Sequence, residues 1–226
     1  MKLVITCEHG GNQIPLEYQP YFMDTSVLNT HKGYDLGALD VFKCLKPIAD
    51  YSNFSTISRL LIELNRSINN KNLFSEFTKP LLVEQKQTLI DNYYNTYRQA
   101  VTDYIALQLK HNISVLHLSI HSFTPVLNLE VRQCDIGILY DSRLEQEKHY
   151  ATKLKRNIIA LNPDYRVRYN YPYLGKADGF TTALRQQFKK NYTGIEIEIN
   201  QSYSINDIMP KKLKQVLKHS IIKLKT

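Results

Sequence analysis

Leu3-Val4-Ile5-Thr6-Cys7-Glu8-His9-Gly10-Gly11-Asn12 is the stretch from which this chain is best read. Leu3 to Cys7 is an apolar run of strand length. It ends in a polar, turn-rich segment with Pro15 just beyond. The same arrangement recurs. Ile57 to Leu64 is a second candidate strand, ending in Glu63-Leu64-Asn65-Arg66. Ser114 to Ile120 is a third, ending at His121-Ser122-Phe123. Asp135 to Tyr140, Arg166 to Tyr169 and Ile195 to Ile199 complete the set. Helical apolar spacing fills the gaps: Asp35 to Leu45, stopped by Pro47; residues 80–111; Ser142 to Leu161; Asp178 to Lys189; and a last helix from Lys211. Strands alternating with helices predict an α/β fold with a mostly parallel sheet. No linker, repeat or low-complexity tract interrupts the pattern, so residues 1–226 are expected to form a single domain.

Composition narrows the class. Of 226 residues, 43% are apolar and 22% charged, which excludes wholesale disorder. No apolar run reaches the ~18–20 residues that span a bilayer. The opening apolar run is too short for a signal peptide, so a cytoplasmic protein is expected. Cys7, Cys44 and Cys134 are odd in number and widely spaced, which argues against a disulfide framework. No CxxC pair exists, which excludes a cysteine-rich zinc module. The net charge of +8 is concentrated at the C-terminus, where Lys211, Lys212, Lys214, Lys218, Lys223 and Lys225 interleave with Leu213, Val216, Leu217, Ile221 and Leu224. That spacing describes an amphipathic helix with a solvated basic face. No nucleic-acid-binding motif accompanies it, so neither nucleic acid nor membrane is an expected partner.

In open α/β sheets the ligand site lies beyond the carboxyl ends of the strands. His9 and His121 sit at two such ends and are candidate ligands of one ion. A catalytic zinc site takes three protein ligands and leaves one position open. Asp35, which opens a helix, is a candidate third ligand, with Glu8 and Asn12 as competitors. Glu196 and Glu198 share one face of their strand because side chains alternate. Glu198, nearer the carboxyl end, is a candidate general base. Arg66, beside Asn65, offers a planar fork suited to a substrate carboxylate. Arg59, Arg132 and Arg185 are further cationic candidates, Arg185 on a loop–helix junction expected to overhang the site. Ser122 adjoins His121, but adjacent strand residues face opposite sides and no G-x-S-x-G elbow exists. Cys7, two residues from His9, is a possible thiol nucleophile but reads more simply as a small buried residue.

Thr6-Cys7-Glu8-His9-Gly10-Gly11-Asn12-Gln13-Ile14-Pro15 resembles the opening motif of the N-formylglutamate amidohydrolase family. So do His31-Lys32-Gly33-Tyr34-Asp35-Leu36-Gly37-Ala38, Glu63-Leu64-Asn65-Arg66-Ser67 and Leu118-Ser119-Ile120-His121-Ser122-Phe123. Asp135-Ile136-Gly137-Ile138-Leu139 and Gly194-Ile195-Glu196-Ile197-Glu198-Ile199 extend the resemblance to nearly the whole chain. The family is related to zinc carboxypeptidases and aspartoacylase-like deacylases. The resemblance implies a three-layer sandwich, with a mixed, mostly parallel sheet between helices. It also implies one Zn²⁺ per chain and a promoted water. Glu198 takes the place of the late-strand general base and acid. Asn65 and Arg66 take the place of the residues that hold a substrate carboxylate. The zinc peptidases use His-x-x-Glu for the first two ligands, whereas the register here is His9-Gly10-Gly11-Asn12. The carboxylate role therefore passes to Asp35.

The expected activity is zinc-dependent hydrolysis of a small, anionic N-acylated amino acid, with N-formyl-L-glutamate as the name the family suggests. The rivals are a metallo-deacylase or peptidase of different amide specificity on the same scaffold, and a non-enzymatic protein binding anions through its basic helix.

Overall fold

The computed structural model describes residues 1–23 and 25–225. In chain order the strands are β1 (Lys2–Cys7), β2 (Tyr51–Phe54), β3 (Val115–Phe123), β4 (Val126–Leu127), β5 (Glu130–Val131), β6 (Ile136–Leu139), β7 (Val167–Tyr169) and β8 (Tyr192–Asn200). The helices are α1 (Ala38–Leu45), α2 (Val83–Leu89), α3 (Thr96–Lys110), α4 (Glu145–Leu161), α5 (Phe180–Gln187) and α6 (Lys211–Ile222). Six strands form one sheet in the order β2-β1-β3-β8-β6-β7, while β4 and β5 make a separate small hairpin. Strands β2, β1, β3 and β8 run parallel, and β6 with β7 runs antiparallel to them. The expected mixed, mostly parallel sheet between helices is therefore present.

The two sides of the sheet differ. Leu3, Ile5 and Cys7 of β1, Leu116, Leu118 and Ile120 of β3, and Ile195, Ile197 and Ile199 of β8 point to one side and pack against α1, α4 and α6. The basic helix α6 contributes Leu213, Val216, Leu217 and Ile221 to that layer, as its amphipathic pattern predicts. Its Lys214 reaches Asp40 at 2.7 Å. Helices α2, α3 and α5 and the segment from Leu60 to Leu64 supply the other layer. There the central strands present polar side chains: Thr6, His117, Ser119, His121 and Glu198 are all buried. One side of the sheet is thus a dry core and the other carries the chemistry.

Several elements depart from the sequence reading. Ile57 to Leu64 is not a strand: Ile57 makes one isolated bridge to Gln13, and the rest winds through turns such as Leu61 N to Ser58 O at 2.9 Å. Leu61, Ile62 and Leu64 are buried all the same. A short apolar run reports burial and not its conformation. The strand beside β1 is the half-buried Tyr51-Ser52-Asn53-Phe54, an edge strand without an apolar signature. The helix expected over residues 80–111 starts at Val83 and is interrupted by a wider π-type turn at Ile90–Asn95. No helix among the described residues is long and apolar enough to cross a membrane.

Gly137, in β6, lies across the sheet from Glu198. A Cβ there would stand 2.1 Å from the Tyr171 carbonyl oxygen and 3.2 Å from Glu198 Cβ. Gly137→Ala should therefore destabilise the fold by about 1–3 kcal/mol, as overpacking does. The check is the urea midpoint at constant denaturant slope.

Candidate metal centre

His9 lies two residues beyond β1, and His121 lies within β3 in register with Glu198 of β8. The loop carrying His9 turns tightly against the residues after β2. Gly10 N bonds Ser55 O at 3.0 Å, and a Cβ on Gly11 would fall 2.7 Å from Thr56 O. Only glycine permits that approach. Asp35 stands just before α1, its backbone N–H bonded to His9 O at 3.0 Å. Its Oδ2 lies 2.8 Å from His121 Nδ1 and 3.4 Å from His9 Nδ1. His9, Asp35 and His121 offer ligand atoms all within 4.8 Å of one another, and all three side chains are buried. The carboxyl ends of the parallel strands and the start of α1 thus bring together the three side chains that the sequence offers for one ion.

The donor set suits a divalent cation. The second nitrogen of each histidine is held by another buried carboxylate. His9 Nε2 bonds Glu63 Oε1, and His121 Nε2 lies 3.2 Å from Glu8 Oε2. Such outer partners orient ligand imidazoles and make them stronger donors. Glu63 is also bound by Arg59 Nε at 3.0 Å and Nη2 at 2.6 Å, and Arg59 Nη1 reaches Asp35 Oδ1 at 3.3 Å. Glu8 has hydroxyl donors as well, Tyr97 at 2.9 Å and Ser119. Three buried carboxylates therefore surround one arginine and two imidazoles. Burial and Arg59 push the His9 pKa down, yet Glu63 and Asp35 outweigh them and hold it raised. Burial likewise opposes charging of His121, but Asp35 and Glu8 drive it well above its ordinary value. Both rings are thus poised to take up positive charge, which protons or a metal ion supply in competition.

Glu198 behaves differently. It is 5% exposed, and its Oε2 has no hydrogen-bond partner. Burial pushes its pKa up to about 8; His121 opposes this, and Asp35 and Glu196 add to it. A cavity of about 270 Å³ joins Glu198 to His9, Asp35 and His121. Its other walls include Arg59, Asn65, Arg66, Tyr173 and Glu196. Asn65 Nδ2 lies 3.3 Å from His121 Nε2, and its Oδ1 accepts from Phe180 N at 2.7 Å. Arg66 Nη1 donates to the Asp178 carbonyl.

The sequence matches the N-formylglutamate amidohydrolase family over residues 1–204. The chain belongs to that family. A crystal structure of a gene product from Agrobacterium tumefaciens superposes with a TM-score of 0.78 at 23% identity, covering 100% of this chain and 92% of that one. The N-formylglutamate amidohydrolase from Ralstonia eutropha gives a TM-score of 0.76 at 16% identity, covering 99% and 92%. At these identities the likeness is one of fold. No curated protein matches the sequence.

Within this family member, other residues singled out in the sequence lie elsewhere. Asn12 is on the surface, donating to Asn29 at 2.8 Å. Glu8 faces the far nitrogen of His121 and not the three-ligand centre. Cys7 is wholly buried, with its thiol pKa driven up by burial. Ser122 Oγ donates to Leu36 O at 2.8 Å. Arg132 lies against Tyr173 and donates to its hydroxyl at 3.2 Å. Arg185 does not overhang the cavity, contrary to expectation. Its Nε bonds Glu147 at 2.6 Å, its Nη1 Gly175 O at 2.8 Å and its Nη2 Gly194 O at 3.0 Å. Position 185 falls on the inward face of α5, so its guanidinium is absorbed by a buried carboxylate. The sequence reading missed Glu63 and Glu8 as partners of the histidines. The available signal was an acidic residue inside or abutting an apolar run, Leu60-Leu61-Ile62-Glu63-Leu64 and Leu3 to Glu8.

Arg185→Met leaves the Glu147 carboxylate, 1% exposed, without its cation. Breaking such a buried pair costs about 3–5 kcal/mol. A large fall in the denaturation midpoint is expected, with KM of the folded fraction unchanged.

Proposed function

We propose that this protein is a zinc-dependent amidohydrolase acting on the amide of a small N-acylated amino acid, N-formyl-L-glutamate being the substrate for which its family is named. The observation that carries the reading is the unpartnered Oε2 of buried Glu198, which shares one cavity with His9, Asp35 and His121. A buried carboxylate oxygen without a donor is costly unless a ligand or reacting group completes it.

His9, Asp35 and His121 would hold the ion; their imidazole and carboxylate donors are ordinary zinc ligands. A divalent cation bound there supplies Lewis acidity toward a carbonyl oxygen and makes a water easier to deprotonate. Glu198, whose raised pKa a cation held by His9, Asp35 and His121 would bring down again, accepts the proton of the attacking water at Oε2 and returns it to the leaving nitrogen. Arg66, with Asn65 beside it in the same cavity, binds the substrate carboxylate. Arg59 is committed to Glu63 and Asp35 and so steadies the ligands. A cavity of about 270 Å³ supports a small molecule as the partner. A deacylase of different acyl preference would use the same groups in the same way.

Elemental analysis should find about one zinc per chain in the wild type and in Glu198→Gln. That variant should lose turnover by about 10²–10⁴-fold. Retained turnover would remove Glu198 from the proton-transfer role, and a metal-free wild type after zinc addition would sink the reading as a whole. Arg66→Ala should raise KM for an anionic substrate about 10–100-fold, the value of a lost hydrogen bond to a charged group. Steady-state kinetics over a substrate range check this.

A further inference from the structure

Two long polar side chains outside the cavity, Tyr94 and Arg98, are spent on the main chain of one of its walls. Tyr94 Oη donates to the Arg66 carbonyl at 2.8 Å. Arg98 Nη1 donates to the same carbonyl at 3.1 Å and to the Leu64 carbonyl at 3.0 Å. The two carbonyls that flank Asn65 are thus both pinned from one helix. The Arg98 guanidinium also lies over the rings of Tyr94 and Phe180, at 4.8 and 4.3 Å from their centroids. Phe180 N in turn donates to Asn65 Oδ1 at 2.7 Å. No carboxylate among the described residues forms an ion pair with Arg98, so its donors serve this segment and not a neighbouring acid. Tyr97, from the same turn of α3, holds Glu8 instead.

The π-type turn before α3 makes this contact possible. In an α-helix, positions 89 and 94 would face about 140° apart. The wider turn at Ile90–Asn95 brings both inward, so that Leu89 is packed in the core and Tyr94 is 5% exposed. Neither Tyr94 nor Arg98 lines the cavity, whereas Asn65 and Arg66 do. Arg66 spends one of its five N–H groups on the Asp178 carbonyl, which leaves donors for a carboxylate. Its long side chain is therefore tethered at the guanidinium by Asp178 and at the main chain by α3. Ordering such a side chain before the ligand arrives removes an entropic cost of binding. We propose that Tyr94 and Arg98 are positioning residues for carboxylate recognition: they fix the Asn65–Arg66 main chain so that the Arg66 guanidinium meets the substrate ready-oriented. The inference rests on the amidohydrolase reading, in which Arg66 binds that carboxylate.

The test is a double-mutant cycle on binding, read by calorimetry. Zinc-loaded Glu198→Gln is titrated with N-formyl-L-glutamate, which needs no turnover. Adding Tyr94→Phe should raise Kd about 3–10-fold, and Tyr94→Phe with Arg98→Met at least about tenfold. Both variants should keep about one zinc per chain. Tyr94→Phe removes one hydroxyl and leaves the ring under Arg98, so it carries the test even where Arg98→Met does not fold. With Arg66→Ala already present, the same changes should move Kd less than about twofold, because the group they position is gone. In the otherwise unaltered enzyme they should raise KM and leave kcat within about twofold. Equal weakening with and without Arg66 overturns the inference, since a general brace of the fold acts either way. So does an unchanged Kd, or loss of zinc from the variants. Failure of the underlying reading looks different and overturns both: Arg66→Ala alone leaves Kd unchanged, or Glu198→Gln binds no substrate.

Discussion

The constraint on which this structure depends is the burial of three carboxylates, Glu8, Asp35 and Glu63, around two imidazoles and one guanidinium. Each acid is at most 5% exposed. Burial alone would keep such acids protonated, yet all three are held below their ordinary pKa by the groups that face them. The cluster is stable only as a set. Arg59 bridges Glu63 and Asp35, Glu63 holds His9, Asp35 touches both histidines, and Glu8 holds His121 from behind. Removing any member leaves a charge stranded in a poor solvent for charge. The balance of negative over positive groups is also what makes the centre attractive to a cation.

The sheet makes that cluster possible by dividing its labour between two sides. Toward α1, α4 and α6 the central strands are uniformly apolar and supply dry, close-packed support. Toward α2, α3 and α5 the same strands carry a polar column. It runs from His117, bonded to Thr6 and Tyr192 at 2.8 Å each, through Ser119 to His121. Period-two alternation lets one sequence serve both sides. Parallel β1, β3 and β8 then bring His9, His121 and Glu198 to the same end of the sheet. Glu196, farther from that end, is half-buried and bonded to Thr181, whereas Glu198 is buried with Oε2 unpartnered.

Much of this was legible in the residues. Apolar runs ending in polar residues marked β1, β3 and β8, and His9, Asp35, His121 and Glu198 were all singled out from their strand-end or helix-start positions. Where reading failed, a tertiary competition had decided. Ile57 to Leu64 looked like a strand because it is apolar, but β2 already occupies the edge beside β1, so the run is buried as turns. Arg185 looked like a site residue because it sits on a loop–helix junction, but the rotation of α5 aims it at Glu147. The pairing of Glu63 with His9 and of Glu8 with His121 left only the faint sign of acids in or beside apolar surroundings.

By itself, then, the sequence determined the alternation of strands and helices, the family, and the residue types delivered to the strand ends, because these are local properties of spacing and polarity. Only the tertiary structure decided which carboxylate faces which imidazole, which arginine is absorbed into the scaffold, and which carboxylate oxygen is left unpartnered. Those are contacts across tens of residues of chain: Asp35 meets His121 86 positions away, and Glu8 meets Tyr97 89 positions away. No local pattern encodes such distances. They follow from the order in which the strands are laid side by side and from the cost of leaving a buried charge alone.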